Sequence, residues 1–212
     1  MAAAVYNKLP TLEDAEQRFI DREKIFTAVG SLLAQYDNLY GLCLVHAHCT
    51  LADGEKMLSR GNISQPENVA LIGNYYPERW LSTGIPYEFT TRPTVSPPAA
   101  LVSEFNRLTA EIGVLGLYHV GDEVDTKMIE HTEGRKNIMT PFLDTDESKT
   151  VSHTETAWNL GKGNPVTMSC MIICDSRTTR NGVAQHKGMH RLLRFDSQAD
   201  HEINQGTKSH HK

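Results

Sequence analysis

Apolar residues recur at three- and four-residue spacing along the first part of the chain. The positions with this spacing are Leu12, Ala15, Phe19, Phe26, Val29, Leu33 and Tyr36. Because such steps keep side chains on one face of an α-helix, the pattern predicts a helix from Thr11 to Asp37. Thr11 and Asp14, three residues apart, form a candidate N-terminal cap. We expect this helix to lie across a sheet.

A second stripe of helical spacing lies between residues 96 and 113. It comprises Leu101, Phe105, Leu108 and Ile112. Ser96 is the candidate N-cap of this helix, Pro97 suits its first turn, and Gly113 is expected to end it.

Other segments favour extended structure. Continuous or alternating apolar runs predict strands at 39–51, 114–120, 127–133, 151–159 and 166–174. Residues 61–98 are rich in proline and aromatic residues and predict a long irregular loop. The basic segment 177–195 suggests a short helix near 187–193.

These elements predict an α+β fold, with a single sheet of about five or six strands and two main helices packed on it. A length of 212 residues favours one domain over residues 1–195. The polar residues 196–212 are expected to form a disordered tail.

Composition limits the classes of function. The 21 basic and 26 acidic residues leave a formal charge of −5, which argues against a nucleic-acid surface. No apolar run reaches the ~18 residues of a membrane span, and no signal-peptide pattern is visible, so a cytoplasmic location is expected. The four cysteines lack zinc-finger spacing and are expected to be free thiols.

The most specific chemical feature is the pair His46 and His48 in the first predicted strand. Alternate residues of a strand point the same way, about 6–7 Å apart, so two imidazoles at this spacing can chelate one metal ion. His119 is the best candidate for a third ligand. It meets the pair if the two strands run parallel, whereas an antiparallel pairing puts it at the opposite end. The ligand types suit zinc, iron or copper.

Other residues are candidates for catalysis and substrate binding. Glu55 and His131 are candidate acid–base groups beside the two histidines. Arg135 is a candidate for orienting an anionic substrate. The aromatic residues expected to wall a pocket are Tyr75, Tyr76 and Trp80.

These candidates lead to one main functional hypothesis and one alternative. The main hypothesis is a small-molecule enzyme with a histidine-based site, in a metal-dependent or an acid–base form, performing hydrolytic, hydration/dehydration or oxygen-dependent chemistry. The alternative is a non-enzymatic ligand-binding or protein-interaction module whose histidines are structural.

Three stretches of the sequence show a resemblance to known proteins. They are YGLCLVHAHCTL (40–51), YPERWL (76–81) and IEHTEGRKNI (129–138). These stretches resemble small uncharacterised proteins of filamentous fungi. The resemblance implies no activity, cofactor or site residue.

Overall fold

The computed structural model describes residues 2–120, 128–141, 153–160, 168–178 and 184–194. The described helices are α1 (Ala2–Tyr6), α2 (Leu12–Arg18), α3 (Arg22–Ala34) and α4 (Ala99–Thr109), with a 3-10 helix at Val69–Leu71. The described strands are β1 (Tyr40–Leu44), β2 (Glu55–Arg60), β3 (Ile63–Asn68), β4 (Tyr76–Leu81), β5 (Pro86–Thr90), β6 (Leu115–His119), β7 (Met128–Glu133), β8 (Lys136–Pro141), β9 (His153–Asn159), β10 (Met168–Thr178) and β11 (Ala184–Arg194). The predicted tail at 196–212 lies outside the described residues.

One mixed sheet organises the described part of the chain. Nine neighbouring strands follow the order β7-β8-β3-β2-β5-β4-β6-β1-β9 and curl into a half-barrel. The antiparallel pair β10 and β11 continues the sheet beside β7, which brings the described strands to eleven. The α+β class is as predicted, but the expected sheet of five or six strands with two main helices is wrong.

Half of the strands that the sequence does not predict lie in the segment 61–98, for which it predicts a loop. This segment contains β3, β4 and β5. Pro66 and Pro77 lie inside strands, opposite Met57 and Phe89 of the neighbouring strands. Proline is tolerated in a strand where its missing N–H is not needed for the ladder, so these prolines do not mark a loop.

The predicted single helix from Thr11 to Asp37 is two helices. Thr11 does cap α2, because its Oγ1 accepts a hydrogen bond from the backbone N–H of Asp14 at 3.2 Å. The backbone leaves the helical conformation at Phe19, with φ −108° and ψ 74°. The break buries Phe19 edge-on against Phe26 and Trp158, while Ile20 stays 85% exposed. Aromatic packing at this point therefore overrides the helical periodicity.

The second predicted helix has the expected apolar face but a later start. α4 begins after Pro98, and no side chain caps it, so the predicted Ser96 cap is wrong. Leu101 and Phe105 are fully buried, and Gly113 has the positive φ of +71° that favours glycine after a helix.

The main core lies between helices α2 to α4 and one face of the sheet. Its largest strand residues are Trp80 and Trp158, and leucines of β1 and β6 fill the space between them. A second apolar cluster includes Val45, Met57 and Tyr87, and Tyr6 of α1 packs into it. Helix α1 therefore covers a different part of the sheet from the other helices.

Two further local predictions are wrong. The predicted strand 39–51 ends at Leu44, so His46 and His48 follow β1 in irregular backbone. Residues 187–193, predicted as a short helix, lie in β11 and pair with β10. In residues 187–193 the pairing with β10, which local residue patterns do not encode, decides the conformation.

Candidate functional site

The segment that carries the two histidines is held by the N-terminal residues. The backbone N–H of His48 donates to the Tyr6 hydroxyl at 3.1 Å, and that of Ala47 donates to the Pro10 carbonyl at 3.0 Å. The Asn7 side chain makes two hydrogen bonds of 2.8 Å with the backbone of Leu51. Residues 45–51 thus have a defined conformation although they form no strand. We call them the histidine loop.

The two imidazole rings contact each other in this loop. Their centroids are 4.6 Å apart and the ring planes meet at 65°. Both residues are buried. His46 Nδ1 donates a hydrogen bond to the Leu44 carbonyl at 2.9 Å, and this bond fixes the tautomer and the orientation of that ring.

A buried carboxylate and an amide lie beside His48. The distance between His48 Nε2 and Glu130 Oε1 is 3.6 Å, and both side chains are 2% exposed. Asn137 Nδ2 lies 3.4 Å from His48 Nε2 and donates to Glu130 Oε1. Glu130 and Asn137 come from β7 and β8, so the two arms of one hairpin present both groups to the histidine loop.

Thr132 completes this group. It pairs with Asn137 in the register of β7 and β8, and both side chains are buried. Thr132 Oγ1 and Asn137 Oδ1 have no hydrogen-bond partner among the described residues. We call His46, His48, Glu130, Thr132 and Asn137 the histidine–glutamate cluster.

A second buried ion pair lies in the adjacent part of the sheet. Arg79 Nε is 3.1 Å from Glu88 Oε2, across the pairing of β4 and β5. Burial raises the pKa of Glu88 to about 7; the Arg79 charge opposes this rise, and the charges of Glu130 and Glu78 add to it. The charge of Glu130 therefore couples this pair to the histidine–glutamate cluster.

The Cys43 thiol and the Tyr87 hydroxyl lie near this pair, and burial keeps both of them in their neutral forms. Cys43 Sγ lies 3.5 Å from the Tyr87 hydroxyl, and both residues are buried. Burial is the main cause that raises the pKa of the Cys43 thiol and of the Tyr87 hydroxyl. Cys43 is therefore a neutral thiol near pH 7 and lacks the thiolate that nucleophilic catalysis needs.

Arg135 and Glu55, two of the residues predicted from sequence, contact each other at the edge of the cluster. Arg135 lies in the turn between β7 and β8, and its guanidinium contacts both Glu55 carboxylate oxygens. It also donates to the Thr50 carbonyl at 2.7 Å. The hydrogen bond from Arg135 is the main cause that lowers the pKa of Glu55. The hydrogen bond from Arg135 to Thr50 connects the β7–β8 turn to the histidine loop.

The predicted aromatic residues lie elsewhere. Trp80 is fully buried in the main core under the helices. Tyr75 packs edge-on against Phe89, with the Lys56 ammonium 4.3 Å from its ring centroid. Tyr76 is the first residue of β4. The described contacts bring none of the three aromatic residues to the histidine–glutamate cluster.

The structure also separates His119 from the two histidines. β1 and β6 are antiparallel neighbours, with Tyr40 opposite His119 and Leu44 opposite Leu115. His119 therefore lies beside the first residue of β1, whereas His46 and His48 follow the last residue of that strand. Of His131, the structure describes the backbone, which lies in β7 opposite Ile138 of β8. In the described ranges, no three or more His, Cys, Asp or Glu side chains are grouped to hold a metal ion.

No sequence motif marks Glu130, Thr132 or Asn137 as site residues. The segment 129–138 has an isoleucine at each end and only polar residues and a glycine between them, so no local pattern marks these positions. Their role depends on contacts with His48, which is 89 positions from Asn137.

Comparisons with protein-family models, curated proteins and solved structures found no match. Among the helices in the described ranges, none is long and apolar enough to cross a membrane.

Proposed function

We propose that this protein is an enzyme that acts on a small molecule by acid–base chemistry at the histidine–glutamate cluster. The observation that carries this proposal is the buried contact of His48 with Glu130, 3.6 Å apart, beside two polar atoms without a partner among the described residues. Imidazole is the side chain best suited to move protons near pH 7, and a neighbouring carboxylate stabilises its protonated form.

The energetics of burial support a functional role for this contact. An imidazole and a carboxylate lose hydration when they are buried, and an apolar pair of similar size is often as stable or more stable. The 3.6 Å separation is slightly longer than a hydrogen bond, which is common for catalytic groups before a substrate binds. Ionisable groups retained at such a cost are typical of catalytic sites.

The proposed chemistry is hydrolysis or hydration/dehydration. In hydrolysis, His48 takes one proton from a water molecule while the water oxygen bonds to the substrate carbon, and Glu130 stabilises the resulting imidazolium. The same proton then passes from His48 to the leaving group as its bond to that carbon breaks; in hydration the proton passes instead to the substrate atom next to the carbon that gains the hydroxyl group, and dehydration is the reverse. The enzyme thus returns to its initial state. The expected partner is a small-molecule substrate, and the cytoplasmic location stays a prediction from the sequence.

The metal-dependent form of the hypothesis is a second proposal, supported by the 4.6 Å approach of the two histidine rings. It predicts about one zinc, iron or copper ion per chain, lost in a folded His46→Ala/His48→Ala variant and retained in His119→Ala. Elemental analysis of the full chain tests it. Metal-free protein after incubation with each of these ions would contradict it.

The non-enzymatic alternative is supported by the hydrogen bond from His46 to the Leu44 carbonyl, which is typical of a structural histidine. It predicts ligand binding without turnover. It also predicts that histidine substitutions lower stability and leave no catalytic effect to measure.

The experiment that separates these alternatives is a turnover screen by proton NMR. The full chain is incubated with esters, amides, lactones, epoxides and α,β-unsaturated carbonyl compounds, alongside His48→Ala and Glu130→Gln. We expect at least one compound to be converted, with a loss of about 100-fold or more in either variant. Glu67→Gln, which alters an exposed strand pair with Arg60, is the matched control. No conversion by the wild-type chain would refute the acid–base proposal.

A further inference from the structure

Among the described residues, two atoms of the histidine–glutamate cluster have no partner for the hydrogen bonds that buried polar groups normally make. Thr132 Oγ1 and Asn137 Oδ1 belong to residues directly opposite each other in β7 and β8, and both are fully buried atoms. Leaving such an atom without a partner is costly, and more than nine in ten buried polar groups in proteins have one. Two such atoms on one pair of residues indicate a place where a ligand binds.

From these atoms we infer that the cluster binds an uncharged small molecule that donates hydrogen bonds, of the class of alcohols and primary amides. This inference rests on the proposed function, because it assigns the substrate class of the same site. The Asn137 carbonyl oxygen can only accept, and the Thr132 hydroxyl can accept or donate. The Glu130 carboxylate beside them is also an acceptor, so the complementary group on the ligand is an O–H or N–H donor.

Charge disfavours an anionic ligand. A carboxylate or phosphate at this position would lie against the buried carboxylate of Glu130. In the described part of the chain, two guanidinium groups near this region are already bound: Arg79 to Glu88, and Arg135 to Glu55 and the Thr50 carbonyl. An anionic ligand would have to compete with Glu88 or Glu55 for these cations to offset the hydration that it loses on burial.

A cationic ligand is also less favourable than a neutral one. An ammonium group is strongly hydrated, and its burial requires a carboxylate that is free to pair with it. Glu130 already accepts a hydrogen bond from Asn137 Nδ2 and lies beside His48 Nε2. A neutral donor can bond to Thr132 Oγ1 and Asn137 Oδ1 without the cost of removing a charged group from water.

The first test is a protein-observed NMR titration of the full chain with three compounds of the same carbon skeleton: propionamide, propionate and propylamine. We expect propionamide to shift the side-chain amide signals of Asn137 and the backbone amide signal of Thr132. Thr132→Val should weaken this effect at least several-fold. Larger shifts at these signals with propionate or propylamine, or no shift with any of the three compounds, would overturn the inference.

The second test compares two buried threonines. Thr132→Val removes a hydroxyl without a described partner, so we expect Tm to rise by roughly 2–4 °C. Thr154→Val is the matched control, because the Thr154 hydroxyl donates to Glu16 Oε2 at 2.8 Å, and its Tm should fall. A comparable fall in Thr132→Val would show that its hydroxyl is already satisfied, for example by bound water, and would overturn the inference.

These tests do not depend on catalysis. Binding of propionamide by a chain that converts no compound in the turnover screen would refute the proposed enzyme and leave the ligand class standing. Conversion only of compounds without an O–H or N–H donor, such as simple esters, lactones or epoxides, lost in Glu130→Gln, would support the enzyme and overturn the ligand class.

Discussion

At the scale of single residues, Glu88 shows how the fold changes the chemistry of a side chain. Burial raises its pKa to about 7, even though Arg79 lies 3.1 Å away. In the unfolded chain the same carboxyl titrates near 4.5. At pH values between 4.5 and about 7, Glu88 therefore keeps its proton in the folded protein but has released it in the unfolded chain. The stability linked to Glu88 is therefore fully present below about pH 4.5 and is lost as the pH rises through 7.

Glu88→Gln should remove this pH dependence. We expect the free energy of unfolding of the wild type to fall by about 3 kcal/mol relative to the variant as the pH rises from 4.5 to above 7. Urea unfolding at several pH values measures it. The control Glu67→Gln should give the opposite sign, because the pKa of Glu67 is lowered chiefly by its hydrogen bond from Arg60. Parallel stability curves for wild type and Glu88→Gln would contradict the prediction.

A second residue-scale prediction concerns Tyr6, whose hydroxyl accepts the backbone N–H of His48. Tyr6→Phe leaves that buried N–H without its acceptor, so we expect a loss of about 1–3 kcal/mol in the free energy of unfolding. Tyr87→Phe is the matched control, since the 3.5 Å contact with the Cys43 thiol is the one hydrogen bond of its hydroxyl among the described residues, and its loss should cost less. Equal losses in the two variants, measured by urea unfolding, would contradict this account.

At the scale of elements, the histidine loop depends on the turn after α1. Asn7 binds both the N–H and the carbonyl of Leu51, as a neighbouring strand would. Asn7→Ala should therefore raise the amide hydrogen-exchange rates of residues 45–51 about tenfold or more, which corresponds to a local loss of roughly 1.4 kcal/mol. Asn62→Ala, which removes one exposed bond to the Met139 carbonyl, should leave those rates unchanged. Unchanged exchange in Asn7→Ala would show that the loop is held by other contacts.

The elements that could be predicted from sequence are those with strong periodicity. The apolar stripe of α4 and the runs of β1 and β6 mark real elements, because their side chains face one core. β2, β3, β5 and β8 are short and carry polar residues or proline, so their patterns resemble those of loops. The predicted role of His119 requires β6 to run parallel to β1, but the two strands are antiparallel. The direction of a strand is set by the topology of the whole sheet and cannot be predicted from the residues of that strand.

At the scale of the whole molecule, the curl of the sheet builds the candidate site. In the strand order, β7 and β8 are separated from β1 by five other strands or more. Nevertheless Glu130 and Asn137 meet His48, which follows β1. His46 and His48 were predicted from sequence, but their partners were not, since only the curvature of the sheet brings these distant strands together.

The contact between His48 and Glu130, which the curl of the sheet brings about, predicts an energetic coupling between these two residues. A double-mutant cycle of His48→Ala with Glu130→Ala should give a coupling free energy of about 1 kcal/mol or more. The same cycle with His119→Ala in place of His48→Ala should be additive within about 0.5 kcal/mol, because the register of β6 keeps His119 near Tyr40. Denaturant unfolding measures both cycles. Coupling in the His119 cycle but not in the His48 cycle would mean that the sheet curls differently.

The ties between the histidine loop and the N-terminal residues have a consequence for how the chain folds during translation. The hydrogen bonds of Tyr6, Asn7 and Pro10 with residues 47–51 join positions about 40 residues apart, and they can form once residue 51 has left the ribosome. Glu130 and Asn137 are synthesised about 80 residues later. Contacts between neighbouring parts of the chain form faster than distant ones. The emerging chain therefore arranges one half of the candidate site early and holds it until the hairpin of β7 and β8 arrives to complete it.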